Sequence, residues 1–227
     1  MELFRIDGIL PGPRVNFMCI LSLLNKIKMS TIAFDVGVKN LSYCIINEDF
    51  KIIHWNIINI TAGLDDKSCK DFHILASSLF QQLQSHFGYD MHIDSVVIEN
   101  QPAFKNPTMK SIQMCVYSFF AMRNLHLEKK INLSFIAAST KVKLAEKICC
   151  DIVDEFKAKY KNKYTYNKNI SIYCTNKLIN DYDLDMADEE FSATFAKSKK
   201  KDDLADAFLL NLVTKNYLKR KHNIENN

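Results

Sequence analysis

The order of patterns along the chain predicts an α/β layer fold, with a central five-stranded mixed sheet flanked by helices. Residues Thr31 to Ile60 are rich in Ile, Val, Tyr and Phe and are interrupted only near Gly37 to Asn40 and at Asn47 to Asp49, which describes three strands joined by short turns. Helical and extended patterns then alternate, and an apolar helix closes the sequence from about Asp202 to Leu218.

Beyond the meander, Phe72, Leu75, Ala76, Leu79 and Leu83 recur at helical spacing and stop near Gly88. Ser95 to Glu99 is a short apolar run, read as a strand buried on both faces. Asn106 followed by Pro107 is a helix start, with Asn as the cap and Pro in the first turn. The helix that follows, to about Arg123, carries apolar residues nearly all round and must be covered on more than one face. Leu133 to Ala137 reads as the fifth strand and Thr140 to Tyr160 as a single helix. Lys157 to Asn169 reads as a connection rich in Lys and Tyr, and Ile170 to Ala196 has no clear pattern.

The 227 residues suit one domain with trimmings, and 48% apolar with 25% charged residues is ordinary globular composition. The domain is expected over 29–222, with 1–28 as an extension and Met29 directly before the first strand. Five glycines are so placed that neither G-x-G-x-x-G nor G-x-x-x-x-G-K-[ST] occurs, so no nucleotide cofactor is expected. H-E-x-x-H and G-x-S-x-G are absent too. The early apolar run Phe17 to Leu24 is shorter than the roughly 20 residues a bilayer requires, so no membrane is expected as a partner. Seven cysteines without C-x-x-C spacing fit a reducing intracellular compartment better than a disulfide framework or a zinc site. A net charge of +4 permits an anionic partner without demanding one.

The carboxylates carry the chemistry. Asp35 lies inside the apolar run Ile32 to Val36, where an unpartnered charge would cost several kcal/mol, so it needs a partner or a cation. Glu99 ends the second buried run, and sites in open sheets assemble at the carboxyl ends of strands. Asp203, Asp206, Leu210, Val213 and Tyr217 form one stripe of the last helix, so both aspartates extend a core-facing surface. Like charges one turn apart repel unless something positive sits between them, and a divalent metal is the obvious candidate. Asp202 has a simpler role in the first turn, against the helix dipole. Four acids without His or Cys suit Mg²⁺, with Mn²⁺ able to substitute. Two such ions roughly 3.5 to 4 Å apart would support phosphodiester hydrolysis.

Three blocks, Ile32 to Cys44, Val96 to Gln101 and Lys201 to Phe208, resemble the Holliday junction resolvases of the RuvC type. Within that family they look most like the branch from poxviruses and other large DNA viruses, with mitochondrial cruciform-cutting endonucleases as cousins. The resemblance implies the ribonuclease H fold, two Mg²⁺ held by Asp35, Glu99, Asp203 and Asp206, a homodimer, and paired symmetric nicks in a four-way DNA junction. Localisation follows the source: the site of viral DNA replication for a viral protein, otherwise mitochondrion or nucleus. The segment from about Lys161 to Ala196 is longer than the family pattern between last strand and last helix.

For DNA contacts the sequence offers Lys141 and Lys143 with Lys147 on one helix, the Lys157 to Lys163 run, and Lys199, Lys200 and Lys201 beside the acidic pair. Phe104, after Glu99, is placed to stack on a base or to plug the helix start. The helix Met109 to Met122 is the expected dimer face, unless the unpatterned 170–196 segment covers it. Three other readings stand beside this one. The D-V-G-x-K-N turn also looks like the phosphate loop of sugar kinases and actin-like ATPases, but a second loop is missing. A small bacterial ribosomal-RNA-processing relative shares the D-V-G start and would make RNA or another branched nucleic acid the substrate. A non-catalytic DNA-binding remnant is opposed by the presence of all four acids.

Overall fold

A computed structural model describes residues 30–88, 91–104, 106–181 and 185–215 of the chain. The expected extension over 1–28, Met29, and the end of the last helix with Tyr217 lie outside the described residues. Five strands, β1 (Ser30–Asp35), β2 (Leu41–Asn47), β3 (Ile52–Ile58), β4 (Ser95–Asn100) and β5 (Asn132–Ala137), form one sheet in the order β3-β2-β1-β4-β5. β1 runs antiparallel to β2 and parallel to β4, so the sheet is mixed, as the sequence predicts. Strand β2 is antiparallel to β3, and β4 is parallel to β5.

Seven α-helices accompany the sheet among the described residues: α1 (Phe72–His86), α2 (Pro107–Arg123), α3 (Ser139–Ile148), α4 (Val153–Lys159), α5 (Lys163–Ile179), α6 (Glu189–Lys197) and α7 (Lys201–Thr214). Alternation along the strands assigns the two faces. Ile32, Phe34, Val96 and Ile98 point to one side, where they pack with Leu79 and Leu83 of α1 and Ile112, Val116 and Phe120 of α2. Ala33 and Val97 point to the other, against Leu210 of α7. The methyl of Ala33 leaves room for that helix to lie close on the sheet. Helices α3, α5 and α6 join α7 there, around Trp55, Phe195 and Phe208.

Two expectations need correction. The single helix expected over Thr140 to Tyr160 is two, broken at Cys149 to Ile152, where Cys149 closes α3 by donating its N–H to Ala145. Ile148, the two Cys, Asp151 and Ile152 are all weak helix formers, so nothing local bridges the gap. The connection expected over Lys157 to Asn169 instead holds the start of α5. Asn162 caps it, its Oδ1 accepting the Tyr164 and Thr165 N–H groups. The burial stripe Tyr166, Ile170, Cys174 and Leu178 then runs at every fourth residue. The unpatterned 170–196 segment thus becomes the rest of α5 and α6, whose Asp188 cap accepts the Phe191 N–H. Both helices lie on the α7 side, so they do not cover α2.

Candidate active site

The parallel register that sets Phe34 beside Ile98 brings Asp35 and Glu99 side by side where β1 and β4 end. Both share the face of Ala33 and Val97, and therefore look toward α7. That helix delivers Asp203 and Asp206, which line the same cleft as Asp35 and Glu99. Side chains of the sheet and of α7 itself fix its position. Ser42 of β2 donates its hydroxyl to the Asp203 carbonyl at 2.7 Å. Trp55 of β3 donates its indole N–H to the Leu204 carbonyl at 2.9 Å. Further along, the buried Asn211 amide donates to Thr31 O at 2.7 Å and Cys44 O at 2.9 Å, tying α7 to β1 and β2 together.

The turn after β1 is equally constrained. A Cβ on Gly37 would lie 2.4 Å from the Asn40 carbonyl oxygen, so only glycine permits this tight return beside Asp35. On the β4 side, Gln101 reaches back to Glu99 Oε1 at 3.3 Å, while its own N–H donates to Gln113 Oε1 of α2 at 2.8 Å.

Lys141 stands at the centre of the acids. Its ammonium contacts Asp35 at 3.0 Å and Asp206 at 2.6 Å, and it also pairs with Glu99. The residue is buried at 6% exposure and its charge pairs with the acids; the sequence offers it, with Lys143 and Lys147, as a phosphate contact. Lys141 follows β5 by one turn of α3, and that places it at the same carboxyl edge as Asp35 and Glu99. Sequence reasoning could not separate it from Lys143 and Lys147, because all three look alike on one lysine-rich helix.

One ammonium does not neutralise this much carboxylate. Burial, reinforced by the neighbouring Asp35 charge, pushes the Glu99 carboxyl up to about 8. Burial likewise raises Asp203 to about 6, with Asp202 and Asp35 adding repulsion, and raises Asp206 to about 6 despite Lys141. Burial works most strongly against the charge on Asp35, but the Lys141 charge and hydrogen bonds from Glu99 and Lys141 together outweigh it and hold that carboxyl below its ordinary range. For Lys141, burial alone would lower the ammonium's pKa; Asp35, Asp206 and Glu99 together drive it above the ordinary lysine value. Asp203 Oδ2 is buried with no hydrogen-bond partner. Oxygen donors in excess of their counter-charge, one of them orphaned, fit a hard divalent cation. Among the described residues, however, no three His, Cys, Asp or Glu side chains are arranged as a metal cluster, since the acids converge on Lys141.

The remaining expected residues are dispersed. Lys143 is exposed on α3, Lys199 and Lys200 are exposed ahead of α7, and Lys201 opens that helix half-buried. The Lys200 charge favours the ionised form of Asp203. Phe104 is fully exposed in the loop between β4 and α2 and plugs nothing. Asp202, expected only to complement the helix dipole, also pairs with Lys168 of α5 at 2.7 Å. Lys168, Tyr164 and Asn167 of α5 line the cleft; they lie in the stretch read only as a connection rich in Lys and Tyr, where the helix that aims them was hidden.

With this geometry in place, likeness to solved structures gives the fold a name. The chain has the ribonuclease H-like fold found in Holliday junction resolvases. The yeast mitochondrial Holliday junction resolvase superposes with a TM-score of 0.54 at 21% identity, covering 81% of this chain and 78% of the yeast one. The fowlpox virus Holliday junction resolvase gives 0.52 at 19% identity, covering 84% of this chain and 99% of the viral one. In sequence, the chain is 33% identical over 135 residues to the uncharacterized protein L451 of Acanthamoeba polyphaga mimivirus. That match takes in 56% of this chain and 30% of the mimivirus protein, so the chain spans under a third of its relative's length. No protein-family model matches the chain. Among the described residues no helix is long and apolar enough to cross a membrane, and the described cysteines are free.

Proposed function

We propose that this protein is a divalent-cation-dependent endonuclease that resolves four-way DNA junctions by paired nicks. The observation that carries the proposal is the gathering of Asp35, Glu99 and Asp206 about one buried ammonium, with Asp203 beside them, in a fold shared with two junction resolvases. Asp35, Glu99, Asp203 and Asp206 are the residues that would hold two Mg²⁺, or Mn²⁺ in their place. Bound there, the ions would polarise the scissile phosphate, raise the acidity of the attacking water and offset charge on the leaving 3′ oxygen.

The chain's own residues supply the rest. Ser42 and Trp55 hold the first turn of α7 so that its carboxylates face the strands. Lys141 balances the acids and keeps them convergent, and Lys39, Lys163 and Lys168 border the cleft where phosphates would lie. A homodimer supplies two such sites for the paired cuts. Its proposed face is α2 with α1, where Met114, Phe72 and Phe80 are exposed together around one depression. The domain is assigned to 29–222. We place the protein in a reducing intracellular compartment, at the site of viral DNA replication, in keeping with the likeness to a mimivirus protein.

The test compares wild type with Asp203→Asn on a synthetic four-way junction, a nicked duplex, an RNA/DNA hybrid and a single strand. We expect Mg²⁺-dependent cleavage with strong preference for the junction, abolished in the variant, and junction binding in Ca²⁺ retained by both. Cleavage by the variant at near the normal rate would remove the metal assignment, and a preference for the hybrid would move the substrate to RNA.

A further inference from the structure

The acid cleft does not end at the carboxylates. Its wall of Ser139, Val142, Lys163 and Asn167 is shared with an adjoining depression between α3, α4 and α5. Lys143, Glu146 and Lys157 are shared in turn with a third depression that reaches Lys147 near the end of α3. The second and third depressions make one trough, leading away from the acid cleft along the whole of α3. Lysines enter it from four separate places: Lys143 and Lys147 from α3, Lys157 from α4, Lys161 from the link, and Lys163 from α5. All five are exposed.

A solvated helix face would not produce this convergence, because the lysines come from different elements and meet in one concavity. The two carboxylates in the trough have other work. Glu146 accepts the Tyr166 hydroxyl at 2.8 Å and lies 3.9 Å from Lys157. Asp154 sits in the first turn of α4, against its dipole. The ten residues of α3 are roughly 15 Å long, which matches about four base-pair steps at roughly 3.4 Å each.

We propose that this trough seats the sugar-phosphate backbone of one duplex arm as it leaves the cleavage site, through contacts that carry no base sequence. The proposal deepens the nuclease assignment above and rests on it. It also gives a role to Lys161 and Lys163, at the start of the segment from about Lys161 to Ala196 that is longer than the resolvase pattern. The charge points to phosphate, and continuity with the acid cleft points to the same nucleic acid that is cut there.

The experiment uses the full chain carrying Asp203→Asn, with a fluorescent four-way junction in Ca²⁺ as the probe. Lys157→Gln with Lys161→Gln is compared with a control pair, Lys67→Gln with Lys70→Gln, exposed on the link before α1. The trough pair is expected to lower the slope of log affinity against log salt by about two. It should also lose backbone protection over roughly four base pairs of one arm, with melting temperature unchanged. The control pair should alter neither. An unchanged slope and footprint in the trough pair would overturn the proposal. If the Asp203→Asn parent binds neither junction nor any other nucleic acid, the nuclease assignment itself fails.

Discussion

A single lysine decides the electrostatics of the cleft. Lys141 is the internal counter-charge to three carboxylates, and removing one partner from a buried ionic cluster costs about 3–5 kcal/mol. Lys141→Gln is therefore expected to lower stability by that amount in EDTA at neutral pH, with millimolar Mg²⁺ restoring part of it; denaturant titration with and without the ion measures both. The raised carboxyls set the sign of the pH dependence. Glu99, Asp203 and Asp206 hold protons in the folded state that the unfolded chain releases. Stability thus declines as pH rises from the ordinary carboxylate range, through about 6 for the aspartates and about 8 for Glu99. Asp35 acts oppositely, and its contribution is lost only as pH falls through its lowered value. In EDTA, melting at about pH 5 should exceed that at about pH 8 by several degrees. A flat profile would mean that the acids do not share one low-dielectric cluster.

At the scale of elements, α7 is the best determined part of the site. Ser42, Trp55 and Asn211 tie it to β1, β2 and β3 by hydrogen bonds from side chains to carbonyls. Asn211→Leu leaves the buried Thr31 and Cys44 carbonyls without these donors and should cost about 2 kcal/mol. An equilibrium unfolding curve reads it, and a change near zero would show that the clamp contributes nothing net. The acids on these elements were legible because a carboxylate in an Ile, Val and Phe run, or on an apolar helical stripe, violates the pattern around it. Lys141 broke no pattern. Helix α5 was hidden for another reason: its buried Tyr166, Ile170, Cys174 and Leu178 are separated by Lys, Asn and Thr, and its mean character is polar. The break between α3 and α4 was hidden because neither Gly nor Pro marks it.

Across the whole molecule, the two faces of the sheet have different tasks. One carries the acids under α7; the other is closed by α1 and α2, whose outer surface keeps Phe72, Phe80, Met114 and Met122 exposed. The two-faced sheet was readable from the β1 and β4 patterns. What covers the outside of α2 was not, because an amphipathic count cannot distinguish burial within a chain from burial between chains. Phe80→Glu should convert a dimer into a monomer in sedimentation equilibrium and uncouple the two nicks, so that nicked junctions accumulate. Wild-type protein sedimenting as a monomer on DNA would end that assignment.

The charged cluster of the cleft draws on positions 35, 99, 141, 203 and 206, nearly the full span of the described sequence. During synthesis the last two emerge only after all five strands and the other charged residues of this cluster have been made. A nascent or truncated chain therefore carries at most half of the acids, and under the proposed function hydrolytic competence would arise only when the closing helix docks. On the proposed function, docking of the closing helix would act as a safety catch, withholding hydrolysis from nucleic acids near the ribosome.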